Sequence, residues 1–381
     1  MSAIIDAHAA LPAAAGARGA GREHARVAGL AAGRDHSLVL MHDGAVWGWG
    51  GEGSGRVALP AICSVAPPAS PVIVPAVQAF RTVAAGYGSS LGVATDGSVH
   101  AWGACRSGLG GRPQDYAALQ PQPLAGLRNV RAVAAAEFFG MALDASGRVF
   151  SWGLNPAGAL GRTATANAMP AQLALTDIVA IGAGSSHALA LDRSGSLYAW
   201  GANAAGQLGL GDLAERAQPQ AVPFDQPLRA IAAGLTHTLA IDEAGGLWAW
   251  GSNQRGQLGN AQLAYSHHPV RVPLPQHARA VAAGMYFSVA LGADGTVYTW
   301  GWNGKGQLGR PAPGHAASPV AVAQLPAIRH VAAGQAHVLA SDGHTVFAWG
   351  DNASSQLGAR GPLAQGPTRP GWSAQPVVLL S

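Results

Sequence analysis

A Trp-Gly pair stands at Trp49, Trp102, Trp152, Trp200, Trp250, Trp300 and Trp349, each followed by glycine, with steps of 53, 50, 48, 50, 50 and 49 residues. The fullest copy is Val-Tyr-Thr-Trp-Gly-Trp-Asn-Gly-Lys-Gly-Gln-Leu-Gly, residues 297–309. Seven copies at a period of about 50 residues define a repeat architecture, in which one unit cannot bury its apolar face alone. Length would suggest two or three domains for 381 residues. A closed ring of seven units is instead a single domain.

Each unit carries a hairpin. In the first, Asp35 to Leu40 and Ala45 to Trp49 alternate apolar with small or polar residues around Asp43-Gly44. Such a dipeptide between alternating runs is a strong hairpin signal. Equivalent turns fall at Asp96-Gly97, Ser146-Gly147, Ser194-Gly195, Ala244-Gly245, Asp294-Gly295 and Asp342-Gly343. Ala-Ala-Gly or a variant precedes each hairpin and ends at Gly33, Gly86, Ala136, Gly184, Gly234, Gly284 and Gly334. A third strand is expected at Pro-Val runs such as 269–272 and 319–322, and a fourth in the segment leading to the next Ala-Ala-Gly, such as 278–282. Four short antiparallel strands per unit make a propeller blade. The fold expected is therefore all-β, a seven-bladed β-propeller over residues 27–381, with repeats starting near 27, 83, 133, 181, 231, 281 and 331.

In the hairpins Ala190, Ala240, Ala290 and Ala340 share one face, with Leu189, Leu191, Leu239, Ile241, Val289 and Leu291 on the other. Small residues let converging blades approach, and the Trp of Trp-Gly is expected between blades. The link between repeats one and two is Pro-rich and lacks Gly-Gln-Leu-Gly. The irregular tail offers residues 376–380 as a final edge strand.

Charged residues are 11% of the chain, and the net charge is +4. Lys305 is the only lysine, which suggests a GC-rich, bacterial genome. The charges form no run, so no nucleic-acid partner is expected. Cys63 and Cys105 form no CxxC pair and are expected as free thiols. No run of 18 apolar residues is present, so no membrane span is expected. Residues 1–26 are Ala/Gly-rich without a basic start and an apolar core. They read as a disordered leader, and the location expected is cytoplasmic; the alternative is export by another route.

Residues 187–209, His-Ala-Leu-Ala-Leu-Asp-x-x-Gly and then Leu-Tyr-Ala-Trp-Gly-x-Asn-x-x-Gly-Gln-Leu-Gly, resemble the repeat of the regulator of chromosome condensation family. The pattern covers residues 27–358, whereas the Trp-Asp of WD repeats and the Gly-Gly doublet of kelch repeats are absent. The resemblance implies a seven-bladed propeller. Its eukaryotic founder is a guanine-nucleotide exchange factor for a small GTPase and binds chromatin; bacterial relatives include a β-lactamase inhibitor and secreted effectors acting on host GTPases. All grip a protein with one propeller face. The founder's exchange activity also uses a projecting β-wedge, for which only residues 56–80 offer room here.

The residues after Ala-Ala-Gly and after Trp-Gly lie at one end of each blade, opposite the turns, and loops on a rigid scaffold carry binding. His36, His187, His237 and His337 recur there and read as structural, each donating to a neighbouring loop carbonyl. Zinc needs its ligands about 2 Å away, while packed sheets stand about 10 Å apart, so no metal is expected. Elsewhere the position holds Ser89, Phe139 and Phe287, beside Tyr87, Phe138 and Tyr286, and Trp302 follows Trp300-Gly301. Aromatics replacing a polar repeat residue suit binding anchors. The partner-binding set is Tyr87, Phe138, Phe139, Tyr286, Phe287 and Trp302, with Arg34, Arg255 and Lys305 on a polar rim. Asn155, Asn203, Asn253, Asn303 and Asn352 are expected to bond their own turns. Gly-Gln-Leu-Gly is no phosphate loop, because no Lys-Ser/Thr or helix follows. No catalytic constellation appears and no cofactor is expected. The function expected is a monomeric, non-catalytic propeller that binds another protein. The alternatives are exchange on a small GTPase and, third, inhibition of an enzyme or chemistry at the channel mouth.

Overall fold

The Asp-Gly turns act as read. Asp294 Oδ1 accepts the Thr296 N–H at 2.8 Å, closing an Asx turn that aims two strands back at each other. Around these turns the computed structural model describes residues 26–51, 56–58, 70–76, 78–105, 109, 116–164, 168–311, 314–358 and 371–377. The leader other than Arg26, Cys63, the Cys105 side chain and most of the candidate wedge lie outside what is described.

Seven four-stranded antiparallel sheets form, each from strands consecutive in sequence. The fifth blade is representative, with Leu228–Ala233, His237–Asp242, Leu247–Ser252 and Tyr265–Val272 paired in that order. The segment ending in Ala-Ala-Gly is thus the innermost strand of its blade and pairs with the hairpin that follows, not with the one before. Innermost strands of successive blades touch around the axis.

The start of each innermost strand is fixed by the preceding turn. Phe80, Val130, Ile178, Leu228, Ala278 and Ile328 each donate their N–H to the turn glycine carbonyl of the blade before, at 2.9–3.1 Å. Val27 does the same to Gly343 at 2.9 Å, joining the first blade to the seventh. Among the described residues no strand is exchanged between termini. The tail instead completes the seventh blade as Gly371–Val377, beginning upstream of the expected 376–380 segment and pairing with Val346–Gly350.

The repeat tryptophans are buried between blades. Trp250 packs on Leu189, Leu191 and Leu208 of blade four, and its Nε1 donates to the Gln207 carbonyl there at 2.9 Å. Trp300 and Trp349 repeat this on Gln257 and Gln307, and Trp49 closes the ring on Gln356 at 2.9 Å. The Gly-Gln-Leu-Gly turn therefore presents a carbonyl to the next blade. Asn203, Asn253 and Asn303 hold that turn, each accepting the N–H of the leucine five residues on. The glycine of Trp-Gly has φ from 96° to 109° in all seven copies, a region that favours glycine.

The first blade has a disguised version of the turn, contrary to the sequence reading. Arg56, Val57 and Ala58 stand seven to nine residues after Trp49, as Gln307, Leu308 and Gly309 do after Trp300. Ala58 adopts φ 56°, close to the 66° of Gly309. The Arg56 carbonyl accepts from Ser90 Oγ of the next blade at 2.9 Å.

Candidate functional site

Beneath the loop end lies a buried ring of side chains, and it decides which sequence candidates reach the surface. His187 Nε2 lies 3.2 Å from Thr238 Oγ1 of the next blade, and Thr238 donates onward to the Gln207 carbonyl at 2.7 Å. The chain recurs as His237–Ser288–Gln257, His36–Ser90–Arg56 and His337–Ser37–Gln356. Each hydroxyl spends its one hydrogen on the carbonyl, so the imidazole Nε2 must carry the proton it donates. Each Nδ1 is buried and has no partner, so a second proton there would have no acceptor, and burial favours the neutral ring. The partner of each histidine is a hydroxyl, not the expected loop carbonyl. Burial pushes His187 and His337 down to about 4. Burial, with His187 nearby, takes His237 to about 3. Burial, then Arg56 and His337, holds His36 well below its usual value. Among the described residues no group of three His, Cys, Asp or Glu is placed to hold a metal.

Phe139 and Phe287 occupy the histidine slot in blades three and six and are fully buried, 0% exposed. They correct the sequence reading: these rings belong to the core and cannot meet a partner. Phe139 packs in one cluster with Ala188, and Phe287 with Val338, the residues standing where other blades have Ser or Thr. The glycine of Ala-Ala-Gly has a matching cause. A Cβ on Gly234 would meet the His237 ring at 2.3 Å, and one on Gly284 the Phe287 ring at 2.0 Å.

Above this ring, the residue after each Ala-Ala-Gly lines the channel mouth: Arg34, Tyr87, Glu137, Ser185, Leu235, Met285 and Gln335. The Arg34 guanidinium lies over the Tyr87 ring, 4.3 Å from its centre. Ser185 donates to Glu137 at 2.9 Å, and Gln335 Nε2 reaches Met285 Sδ at 3.3 Å. The depression they enclose is about 160 Å³. Small-molecule pockets run to roughly 300–1,000 Å³, so a single side chain fits this opening better than a metabolite.

One residue further out stand the half-buried Phe138 and Tyr286. The Tyr286 ring meets Trp302 edge-on, centres 6.3 Å apart, and the Tyr286 carbonyl accepts the Trp302 N–H at 2.9 Å. Among the described residues no ring contact joins Phe138 to the other candidates. Arg255 and Lys305 are exposed on the Trp-Gly loops, and Lys305 Nζ is 3.5 Å from Asp351. The structure thus brings Arg34 to Tyr87 and Tyr286 to Trp302. Sequence reasoning missed Leu235, Met285, Ser185 and Gln335 as mouth residues, although the position after Ala-Ala-Gly differs in every repeat.

Comparison with solved structures identifies relatives of the same shape. Prp20p from Saccharomyces cerevisiae, described with its binding to Gsp1p and histones, is 23% identical with a TM-score of 0.72, covering 81% of this chain and 80% of its own. Human WBSCR16 is 23% identical with a TM-score of 0.78, covering 88% and 95%. Yeast RCC1 in complex with Kap60 is 21% identical with a TM-score of 0.74, covering 98% and 90%. At these identities the likeness bears on the fold. The regulator of chromosome condensation (RCC1) repeat is matched directly at residues 146–191, 194–241, 244–291 and 294–341, and a second model of that repeat matches 27–56, 178–207, 228–257 and 278–307. With matches over more than half of its length, the chain belongs to the RCC1 repeat family.

Proposed function

We propose that this protein is a non-catalytic binding propeller that docks another protein on its loop end. The observation that carries the reading is the break in the repeat at the mouth. Seven equivalent positions hold seven different side chains, while the scaffold uses their backbone, as in the Arg34 N–H to Gly86 and Gln335 N–H to Gly33 bonds. Folding does not demand that variety, and recognition does. Tyr87, Phe138, Tyr286 and Trp302 serve as anchors. Arg34, Arg255 and Lys305 form a rim that affects association rate more than affinity.

The similarity to a yeast propeller described with its binding to Gsp1p makes a small GTPase the first partner to test, and acceleration of its nucleotide release would mark the exchange-factor alternative. Affinity capture with the intact propeller supplies the partner. Truncating an anchor, as in Phe138→Ala, Tyr286→Ala or Trp302→Ala, should then weaken binding by roughly 2 kcal/mol or more with the melting temperature unchanged. Full affinity in all three variants would remove the loop end as the docking face.

A further inference from the structure

We propose that the opposite, turn-end mouth of the channel is a second site, which takes a short acidic peptide segment entering along the axis. The residue after the one bonded to the preceding turn glycine is Arg81, Arg131, Arg229, Arg279 and Arg329 in blades two, three, five, six and seven, the first four inside the innermost strand and Arg329 just before it. That bond fixes its place. Five arginine positions are therefore set around one end of the channel, with gaps only at Ala28 and Val179.

Part of each group is spent on the fold. Arg131 Nη2 donates to the Val179 carbonyl of the next blade at 2.8 Å, and Arg279 Nη2 to the Arg329 carbonyl at 2.7 Å. Arg229 bridges Asp242 and Ala278, and Arg81 bonds Ala94 and Thr95. These contacts run through Nε and Nη2. Among the described residues no Nη1 of the five has a hydrogen-bond partner, none is buried without one, and no carboxylate is in ion-pair range of any of them. Arg329 makes no side-chain hydrogen bond there. The clustering of like charge shows on His330, which burial and then Arg279, His42 and Arg329 hold below its ordinary value. A ring of guanidinium groups with free N–H donors, one of which, Arg131, feels a nearby carboxylate, Asp144, is suited to carboxylates, which accept such donors strongly.

The charges around the ring select the ligand. Further from the axis stand the carboxylates of the hairpin turns, Asp43, Asp96, Asp192, Asp294 and Asp342, with Glu243 beside the Ala244-Gly245 turn. A nucleic-acid strand lying across this face would meet those outer carboxylates in every blade but the third, where Asp144 is buried and paired with Arg148. A narrow acidic tip on the axis meets the arginines alone. The site lies at the opposite end from the docking face proposed above and stands independently of it.

The probe is a fluorescein-labelled hexaglutamate peptide, read by anisotropy on the full chain. It should bind with an affinity that falls as salt is raised. R329Q removes charge without removing a bond of the fold and should weaken the peptide several-fold at unchanged melting temperature. R279Q/R329Q should weaken it about tenfold or more, in the range lost with charge-assisted contacts, while R34Q/R255Q at the loop end should not. Absence of binding, or equal affinity in R329Q, overturns the proposal. An unlabelled DNA hexanucleotide that competes as well as unlabelled hexaglutamate overturns its acidic-peptide assignment.

Discussion

Six of the seven interfaces in this ring fall into two kinds that differ in one slot, the seventh having Ser89 there. Between blades four and five, His187 meets Thr238, and between five and six His237 meets Ser288. Between three and four, Phe139 packs with Ala188, and between six and seven Phe287 packs with Val338. Wherever the slot holds histidine, the next blade supplies a hydroxyl; wherever it holds phenylalanine, the next blade supplies an apolar side chain. The repeat therefore specifies a shape and leaves the chemistry to be agreed between neighbours. The polar solution obeys the rule that buried polar groups be bonded, at the cost of a bare Nδ1 on each ring. The apolar solution has nothing to titrate.

The largest test of that difference is acid. The four slot histidines are neutral in the fold, with values of about 4 for His187 and His337 and about 3 for His237. Unfolded, each returns to about 6.5. Above that pH neither state is protonated and the histidines contribute no pH dependence. As pH falls from about 6.5 towards about 4, only the unfolded chain takes up their protons, so stability is lost by about 1.4 kcal/mol per pH unit for each. The three with values together reach about 4 kcal/mol per unit and His36 adds in the same direction, enough to cancel a typical total of about 5–15 kcal/mol within that window. Urea melts from pH 7 to pH 4 should show the midpoint collapsing below about pH 6. A midpoint that stays flat to pH 4.5 would show that these rings are not held neutral.

Next in size is a change common to both kinds of interface. Trp200→Ala removes a buried indole and its bond to the Ala159 carbonyl, and such truncations cost roughly 3–5 kcal/mol. Thermal and urea unfolding should register that loss at pH 7 and pH 5 alike. A loss much larger at pH 5 would mean that the indole also shields the histidines.

Much of this was readable in the sequence. The Trp-Gly period, the Asp-Gly turns and Ala-Ala-Gly specify seven blades because each is a local rule, settled within about 15 residues of chain. Ring closure was not readable, since the Val27 to Gly343 and Trp49 to Gln356 bonds join opposite ends of the chain. Arg56 and Ala58 hid the first blade's turn because that turn is held by a backbone carbonyl and a positive φ, which residues other than Gln and Gly can supply. For the candidate site, Tyr87, Tyr286 and Trp302 were singled out by their departure from the repeat and Arg34 as a rim charge, and the structure brings Arg34 to Tyr87 and Tyr286 to Trp302. Phe139 and Phe287 were misread by the same criterion. Their explanation lies about 50 residues away, in Ala188 and Val338, and appears only when one repeat is read against the next.

The smallest expected effect is the most informative about the slot. Ser288→Ala strips His237 Nε2–H of its acceptor, while the Gln257 carbonyl keeps its bond from Trp300. A buried donor left unpaired should cost about 1–3 kcal/mol. Adding His237→Phe removes the orphaned donor and recreates the pairing already used by Phe139 with Ala188. Gly234 leaves the ring the space that Gly284 leaves Phe287. The double variant should therefore return to within about 1 kcal/mol of the parent at pH 7, a favourable coupling of the kind that double-mutant cycles resolve. It should also lose one histidine's share of the acid sensitivity, which a repair of packing alone would not do. Stabilities of the parent, both single variants and the double variant at pH 7 and pH 5 decide the matter. A double variant no better than the sum of its parts would show that the two chemistries are not interchangeable within one shape.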